Sequence, residues 1–133
     1  MPNGKTILVM DEDQVSCELM RSFLEPESFK IFMAHNVEDG LTSFKNRAPH
    51  LVILSIHMPK ISGSEFYSKI AKPEDVSLAI PVLVLTSHDS MKSMLSGFHM
   101  KSVLDGIRAE GFMAKPFNPI DLVIMVKKIL GQR

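Results

Sequence analysis

Five short apolar runs divide the chain, and the stretches between them carry helical spacing. The runs are Ile7–Met10, Phe29–Ala34, Leu51–Leu54, Pro81–Leu85 and Phe112–Ala114. Uninterrupted apolar runs of this length suit strands covered on both faces, where neither face needs polar positions. The first helix is expected to bury Leu19, Met20, Phe23 and Leu24 ahead of Pro26. The second presents Val37, Gly40, Leu41 and Phe44, with Asn36 placed to cap its first turn. Phe66, Tyr67 and Ile70 share a third face, and Ile120, Val123, Val126, Ile129 and Leu130 a last one. That last helix opens on Asn118 as cap and Pro119 in the first turn, where a missing N–H is no loss, and Gly131 ends it. Strand–helix alternation repeated five times predicts an α/β fold: a five-stranded parallel sheet with helices on both faces. A functional site is then expected past the C-terminal ends of the strands, where strand order switches.

The connection from Ser87 to Gly111 departs from this rhythm. Met91, Met94, Leu95 and Phe98 make one helical stripe, and Met100, Val103, Leu104 and Ile107 repeat it nine residues later. Nine residues turn a helix by about half a turn beyond whole turns. A single straight helix would put the two stripes on opposite faces, so either the helix breaks near Gly97 or one stripe faces outward. One reading is a long loop with its own small core. The other is an exposed Met-rich partner surface, because the flexible thioether adapts to partners of different shape.

The length of 133 residues predicts one domain, 1–133 with a core over about 5–131. That is enough chain to bury a core without disulfides or a structural metal. Fifteen basic and fifteen acidic residues cancel, so no charge bias points to nucleic acid or an anionic membrane. Cys17 is the single cysteine and has no internal disulfide partner, which suits a cytoplasmic setting. No apolar stretch near the start reads as a signal peptide, and none is long enough to span a membrane.

Candidate chemistry gathers where the apolar runs stop. Asp11, Glu12 and Asp13 follow the first run; Ser55 follows the third, ahead of His57-Met58-Pro59; Thr86 follows the fourth; Lys115-Pro116 follows the fifth. By residue type alone, the acidic triad is either a helix start, with Asp13 as cap and the carboxylates at the positive dipole end, or a set of hard oxygen donors for a divalent cation. Thr86 suits a strand-end cap and Phe112 a buried strand aromatic. His35, His50, His57, His88 and His99 show no paired zinc spacing. The first run is not followed by a Gly-rich phosphate loop, which argues against a dinucleotide-binding domain.

In this order, and across nearly the whole chain, these residues resemble the receiver (CheY-like) domain of two-component response regulators. The resemblance implies roles for each. Asp11 and Glu12 would be the acidic pair that holds Mg²⁺, helped by the backbone carbonyl of His57. Thr86 would bond a phosphoryl oxygen and reorient on activation. Lys115, ahead of a cis bond to Pro116, would pair with the acceptor and the phosphoryl charge. Phe112 would be the aromatic switch, and Gly63 the turn glycine of the receiver loop. Two positions depart from the pattern. Glu12 is one methylene longer than the usual aspartate, which alters the distance to a metal. Ser55 stands where the family carries its phosphoryl-accepting aspartate.

The second departure decides the expected function. An aspartate is ionised at neutral pH, whereas a serine hydroxyl is a poor nucleophile without an adjacent base. His57 is the nearest titratable candidate, and in the family its side chain points away. One carboxylate fewer weakens a Mg²⁺ site and leaves Lys115 to pair with Asp11 or Glu12. The chain is therefore expected to hold no catalytic residue, to bind Mg²⁺ weakly or not at all, and to act as a phosphorylation-independent interaction module, with any effector domain absent or removed. Its partners would be proteins, a sensor kinase or a downstream signalling protein. They would meet the family's usual output face, here Met91–Ile107 and Phe112, in a connection about seven residues longer than usual. Two alternatives stand beside this. One is a working phosphotransfer receiver that accepts on Glu12, Asp13 or Ser55. The other is a flavodoxin-like enzyme or flavin binder, disfavoured because tryptophan, a phosphate loop and a nucleophile–base pair are all missing.

Overall fold

The computed structural model describes residues 4–55, 57–58, 61–62, 66–67, 69, 80–87 and 109–131. Five strands make the main sheet: β1 (Thr6–Met10), β2 (Lys30–Ala34), β3 (Leu51–Ser55), β4 (Val82–Ser87) and β5 (Gly111–Lys115). Every pairing is parallel and the order is β2-β1-β3-β4-β5. The predicted α/β sheet is thus observed. The chain steps outward from β1 to β2, then crosses back to β3, so strand order switches between β1 and β3. In open sheets of this kind ligands bind past the C-terminal strand ends at such a point.

Burial on both faces explains the continuous apolar runs. Side chains of a strand alternate between faces. Ile7, Val9, Leu51, Ile53, Leu83 and Leu85 enter one core, with Cys17, Met20, Leu122 and Val126 from helices on that side. Leu8, Met10, Val52, Leu54, Val82 and Val84 enter the other, against Phe66, Tyr67 and the apolar side of a second helix.

Among the described residues three α-helices have full ranges: α1 (Gln14–Leu24), α2 (Val37–Arg47) and α3 (Pro119–Gly131). Each has the cap its sequence suggests. Asp13 accepts from the Val15 amide at 3.0 Å, Asn36 from Asp39 at 2.8 Å and Asn118 from Ile120 at 2.8 Å. Two faces need correction. In α1 the core takes Cys17, Met20 and Leu24, while Leu19 and Phe23 stay exposed. Residues advance by about 100° on a helix, so the expected Leu19 and Phe23 lie off the stripe made by Met20 and Leu24. In α3 the first buried residue is Leu122, and the expected Ile120 is 62% exposed; Val126, Ile129 and Leu130 are buried as expected. Val37, Leu41 and Phe44 of α2 pack as predicted, and Phe66 and Tyr67 are helical and buried. Ile70, Gly63 and the Met91–Ile107 stripes lie outside the described residues.

Gly40 fixes how closely α2 approaches β1. A Cβ there would stand 2.2 Å from Met10 Sδ and 2.9 Å from the Phe66 ring. The thioether end is adaptable, but the buried ring is not free to yield. Gly40→Ala is therefore expected to destabilise the fold by about 1–3 kcal/mol despite its better helix propensity. Urea unfolding should show a lower midpoint at unchanged slope. A midpoint at or above that of the wild type would mean that α2 is not seated this tightly.

Candidate functional site

The strand register brings four polar residues to one end of the sheet. Met10 lies opposite Leu54, so Asp11 and Ser55 each follow one step later. Ser55 lies opposite Leu85, Thr86 comes next, and Ser87 lies opposite Lys115. Asp11, Ser55 and Thr86 are the buried polar residues among those described, at 2%, 4% and 2% exposure. Burial of polar groups at the rim of an apolar core is costly unless they are partnered.

Asp11 is held from every side. Its Oδ2 forms a short ion pair with the Lys115 ammonium, across the sheet from β1 to β5. Its Oδ1 accepts the Asp13 amide at 3.0 Å. Its own amide donates to Ala34 O at 3.1 Å. Its carbonyl accepts from His35 Nδ1 at 2.8 Å and from the Cys17 thiol at 3.5 Å. A carbonyl only accepts, so Nδ1 of His35 carries the proton. Burial, and then the Asp11 charge, push the Cys17 thiol up to about 12, which keeps it a neutral donor. Lys115 pairing with Asp11 is one of the two arrangements expected once residue 55 lacks a carboxylate.

The neighbours of Asp11 divide into two kinds. Asp13 serves the helix: the Ser16 hydroxyl at 2.8 Å, then the amides of Val15 and Ser16, hold its carboxyl below the usual carboxylate range. Glu12 behaves differently, since its Oε2 is buried with no hydrogen-bond partner among the described residues. Phe112 is half-buried on β5 opposite Val84 and packs against the core that holds Val82, Val84, Phe66 and Tyr67. The Lys115–Pro116 bond is cis. The backbone of His57 pairs with Ser62 in a two-residue antiparallel ribbon, His57–Met58 with Ile61–Ser62. His35 is the residue that sequence reasoning missed. Its position at the end of β2, beside β1, is the signal that could have revealed it as a brace for Asp11.

The model of the response regulator receiver domain matches residues 7–127. The chain belongs to that family. Receiver domains of this family serve two-component signalling. Among similar proteins are the response regulator GtcR of Aneurinibacillus migulanus, 28% identical over 93% of this chain and 47% of its own length, and the phosphate regulon transcriptional regulatory protein PhoB of Pseudomonas aeruginosa, 27% identical over 96% and 52%. The chain thus spans about half the length of the curated relatives it matches. A solved response regulator of Chloroflexus aurantiacus superposes with a TM-score of 0.75 at 26% identity, covering 96% of this chain and 98% of that one. The chemotaxis response regulator CheY4 of Vibrio cholerae reaches 0.77 at 20% identity over 94% and 98%, a likeness of fold.

Receiver domains commonly hold Mg²⁺ at this end of the sheet. The residues of this receiver domain fit that ion poorly. Both Asp11 oxygens are engaged, one by Lys115 and one by the Asp13 amide. Glu12 Oε2 has no hydrogen-bond partner among the described residues. Among the described residues no three Asp, Glu, His or Cys side chains converge on a common point. Mg²⁺ demands near-octahedral oxygen ligands and gives up its waters reluctantly.

The cap at Asp13 yields a stability prediction with a definite sign. Its carboxyl is lowered in the folded state, so its contribution is fully present above the unfolded value and fades as pH falls through the folded one. Asp13→Ala should cost about 1 kcal/mol at neutral pH and less below about pH 4. Asp13→Asn, which keeps the acceptor, should cost little at either. An Asp13→Ala penalty that grows towards low pH would contradict the assignment.

Proposed function

We propose that this receiver domain acts as a protein-interaction module that works without accepting a phosphoryl group at residue 55. The observation that carries the reading is Ser55 itself, buried at the end of β3 beside the Asp11–Lys115 pair. A hydroxyl there needs a base to become a nucleophile. Asp11, the acid one strand away, has both oxygens committed elsewhere. With no phosphoryl group to bias it, the domain's conformation is set by which partner it binds. Thr86 and Phe112 then remain as parts of a switch whose input is a protein.

One observation favours a second reading. Glu12 Oε2 is buried with no hydrogen-bond partner among the described residues, so no contact holds that carboxylate oxygen in another role. A phosphotransfer receiver with Glu12 as acceptor is the alternative, ahead of Asp13, whose carboxylate is tied to Ser16 and Val15.

Intact mass after incubation with Mg²⁺ and an acyl phosphate separates the two. Ser55→Asp should gain one phosphoryl mass and the natural chain none. A gain by the natural chain that disappears in Glu12→Gln would establish the alternative.

The partner, a sensor kinase or a downstream signalling protein, is proposed to meet Met91–Ile107 and Phe112. A competing surface exists among the described residues. Val15, Leu19 and Phe23 on α1 and Ile120 and Ile124 on α3 are large apolar side chains left in solvent. Alanine at Met91, Met94 and Phe98 should weaken partner capture by about tenfold or more. If capture survives those changes and is lost with Val15→Glu and Ile120→Glu, the interface is the α1–α3 side.

A further inference from the structure

We propose that Lys115 serves this domain as a built-in cation: its ammonium holds the place at Asp11 that a divalent metal would need, and makes the site indifferent to Mg²⁺ for as long as residue 55 is a serine. This deepens the functional reading above and rests on it, because it requires that Ser55 leave the site without an acceptor carboxylate.

The charge balance comes first. Two carboxylates, Asp11 and Glu12, follow one another at the end of β1, and one ammonium, Lys115, is seated on Asp11; Asp13 is committed to the helix start. The Lys115–Asp11 pair neutralises one of them. What remains is a single carboxylate, Glu12, with one oxygen unpartnered. A dication at this point would meet one uncompensated negative charge and, at short range, a positive one. The acidic pair alone would suit a metal; the pair with a lysine already seated on it does not. An aspartate at residue 55 would change the count to three carboxylates against one ammonium.

Geometry and tethering favour the lysine over an ion from solution. The Asp11 side chain is 3% exposed, so a metal would have to shed water to reach it. Lys115 is delivered by β5, whose register against β4 sets Lys115 opposite Ser87 and Ala114 opposite Thr86. An attached group competes at high effective concentration. The Lys115 side chain keeps 26% of its surface in solvent, so its stem crosses the rim while its head reaches Asp11. The second Asp11 oxygen is fixed by the Asp13 amide at the start of α1, which leaves the carboxylate no freedom to turn toward a competing ion.

The test is Mn²⁺ binding to the full chain, followed by loss of the free-ion electron paramagnetic resonance signal, with Mg²⁺ as competitor. The wild type and Lys115→Arg should bind weakly. Lys115→Met, which frees Asp11, and Ser55→Asp, which draws Lys115 away and adds a carboxylate, should each bind at least about tenfold more tightly. Lys115→Met strips a buried carboxylate of its counterion and is open to misfolding. Ser55→Asp removes nothing, and therefore keeps the test decisive. Asp11→Asn added to Ser55→Asp should abolish the gain. Wild-type binding as tight as that of Ser55→Asp, or no gain in either variant, would overturn the assignment. A wild-type chain that gains phosphoryl mass yet binds Mn²⁺ weakly would overturn the functional reading alone. Tight wild-type Mn²⁺ binding without phosphoryl gain would overturn the role of Lys115 alone.

Discussion

A carboxylate buried at the rim of an apolar sheet has to be answered by a positive charge. Asp11 closes β1, the strand with a neighbour on each side at the topological switch, so its carboxylate sits where the two cores meet. Three elements contribute to holding it: Lys115 from β5, Ala34 and His35 from the end of β2, and the Asp13 amide and Cys17 thiol from the start of α1. Removing one partner of a fully buried pair costs about 3–5 kcal/mol, and the exposed fraction of Lys115 brings this instance below that range. The ion pair thus ties the outer strand β5 to β1 across β3 and β4, and gives the C-terminal end of the sheet its shape.

The consequence is that a stabilising contact and a functional one compete for the same atoms. In a receiver with an acceptor aspartate, by the family resemblance, the lysine has another carboxylate to face. Here Ser55 supplies a neutral hydroxyl, and the ammonium goes to Asp11. The neutral residue at the end of β3 and the ion pair between β1 and β5 thus belong to one charge balance. No backbone adjustment is needed, because register alone places Asp11, Ser55, Thr86 and Lys115 on one edge.

Much of this was legible in the chain, for physical reasons. Runs buried on both faces leave unbroken apolar sequence, so β1, β3 and β4 are plain to read, and the caps Asp13, Asn36 and Asn118 mark helix starts because unpaired amides need acceptors. The helix faces were less legible. Leu19, Phe23 and Ile120 are apolar yet exposed, and composition cannot distinguish a core stripe from an apolar side chain one step around the helix. His35 could not be found from spacing in its own segment, since its contact with Asp11 exists only once β2 lies beside β1. Ion-pair choice was half legible: charge counting narrowed Lys115 to Asp11 or Glu12, and only the fold selects between them.

That selection carries the larger point about residues retained without their partner. Asp11, Thr86 and Lys115 look like a reactive site when each is matched to a motif. Burial and pairing give the same residues a second reason to be there. Asp11 without Lys115 would be a buried carboxylate without its counterion, whereas the partly exposed Lys115 would lose less. Such side chains can therefore be kept for structural reasons alone, whatever residue 55 does. Glu12 is the residue to which that reasoning does not extend. Its buried oxygen has no partner among the described residues, so stability offers no account of it. Whatever chemistry the site still has is more informatively sought at Glu12 than at the residues that match the family best.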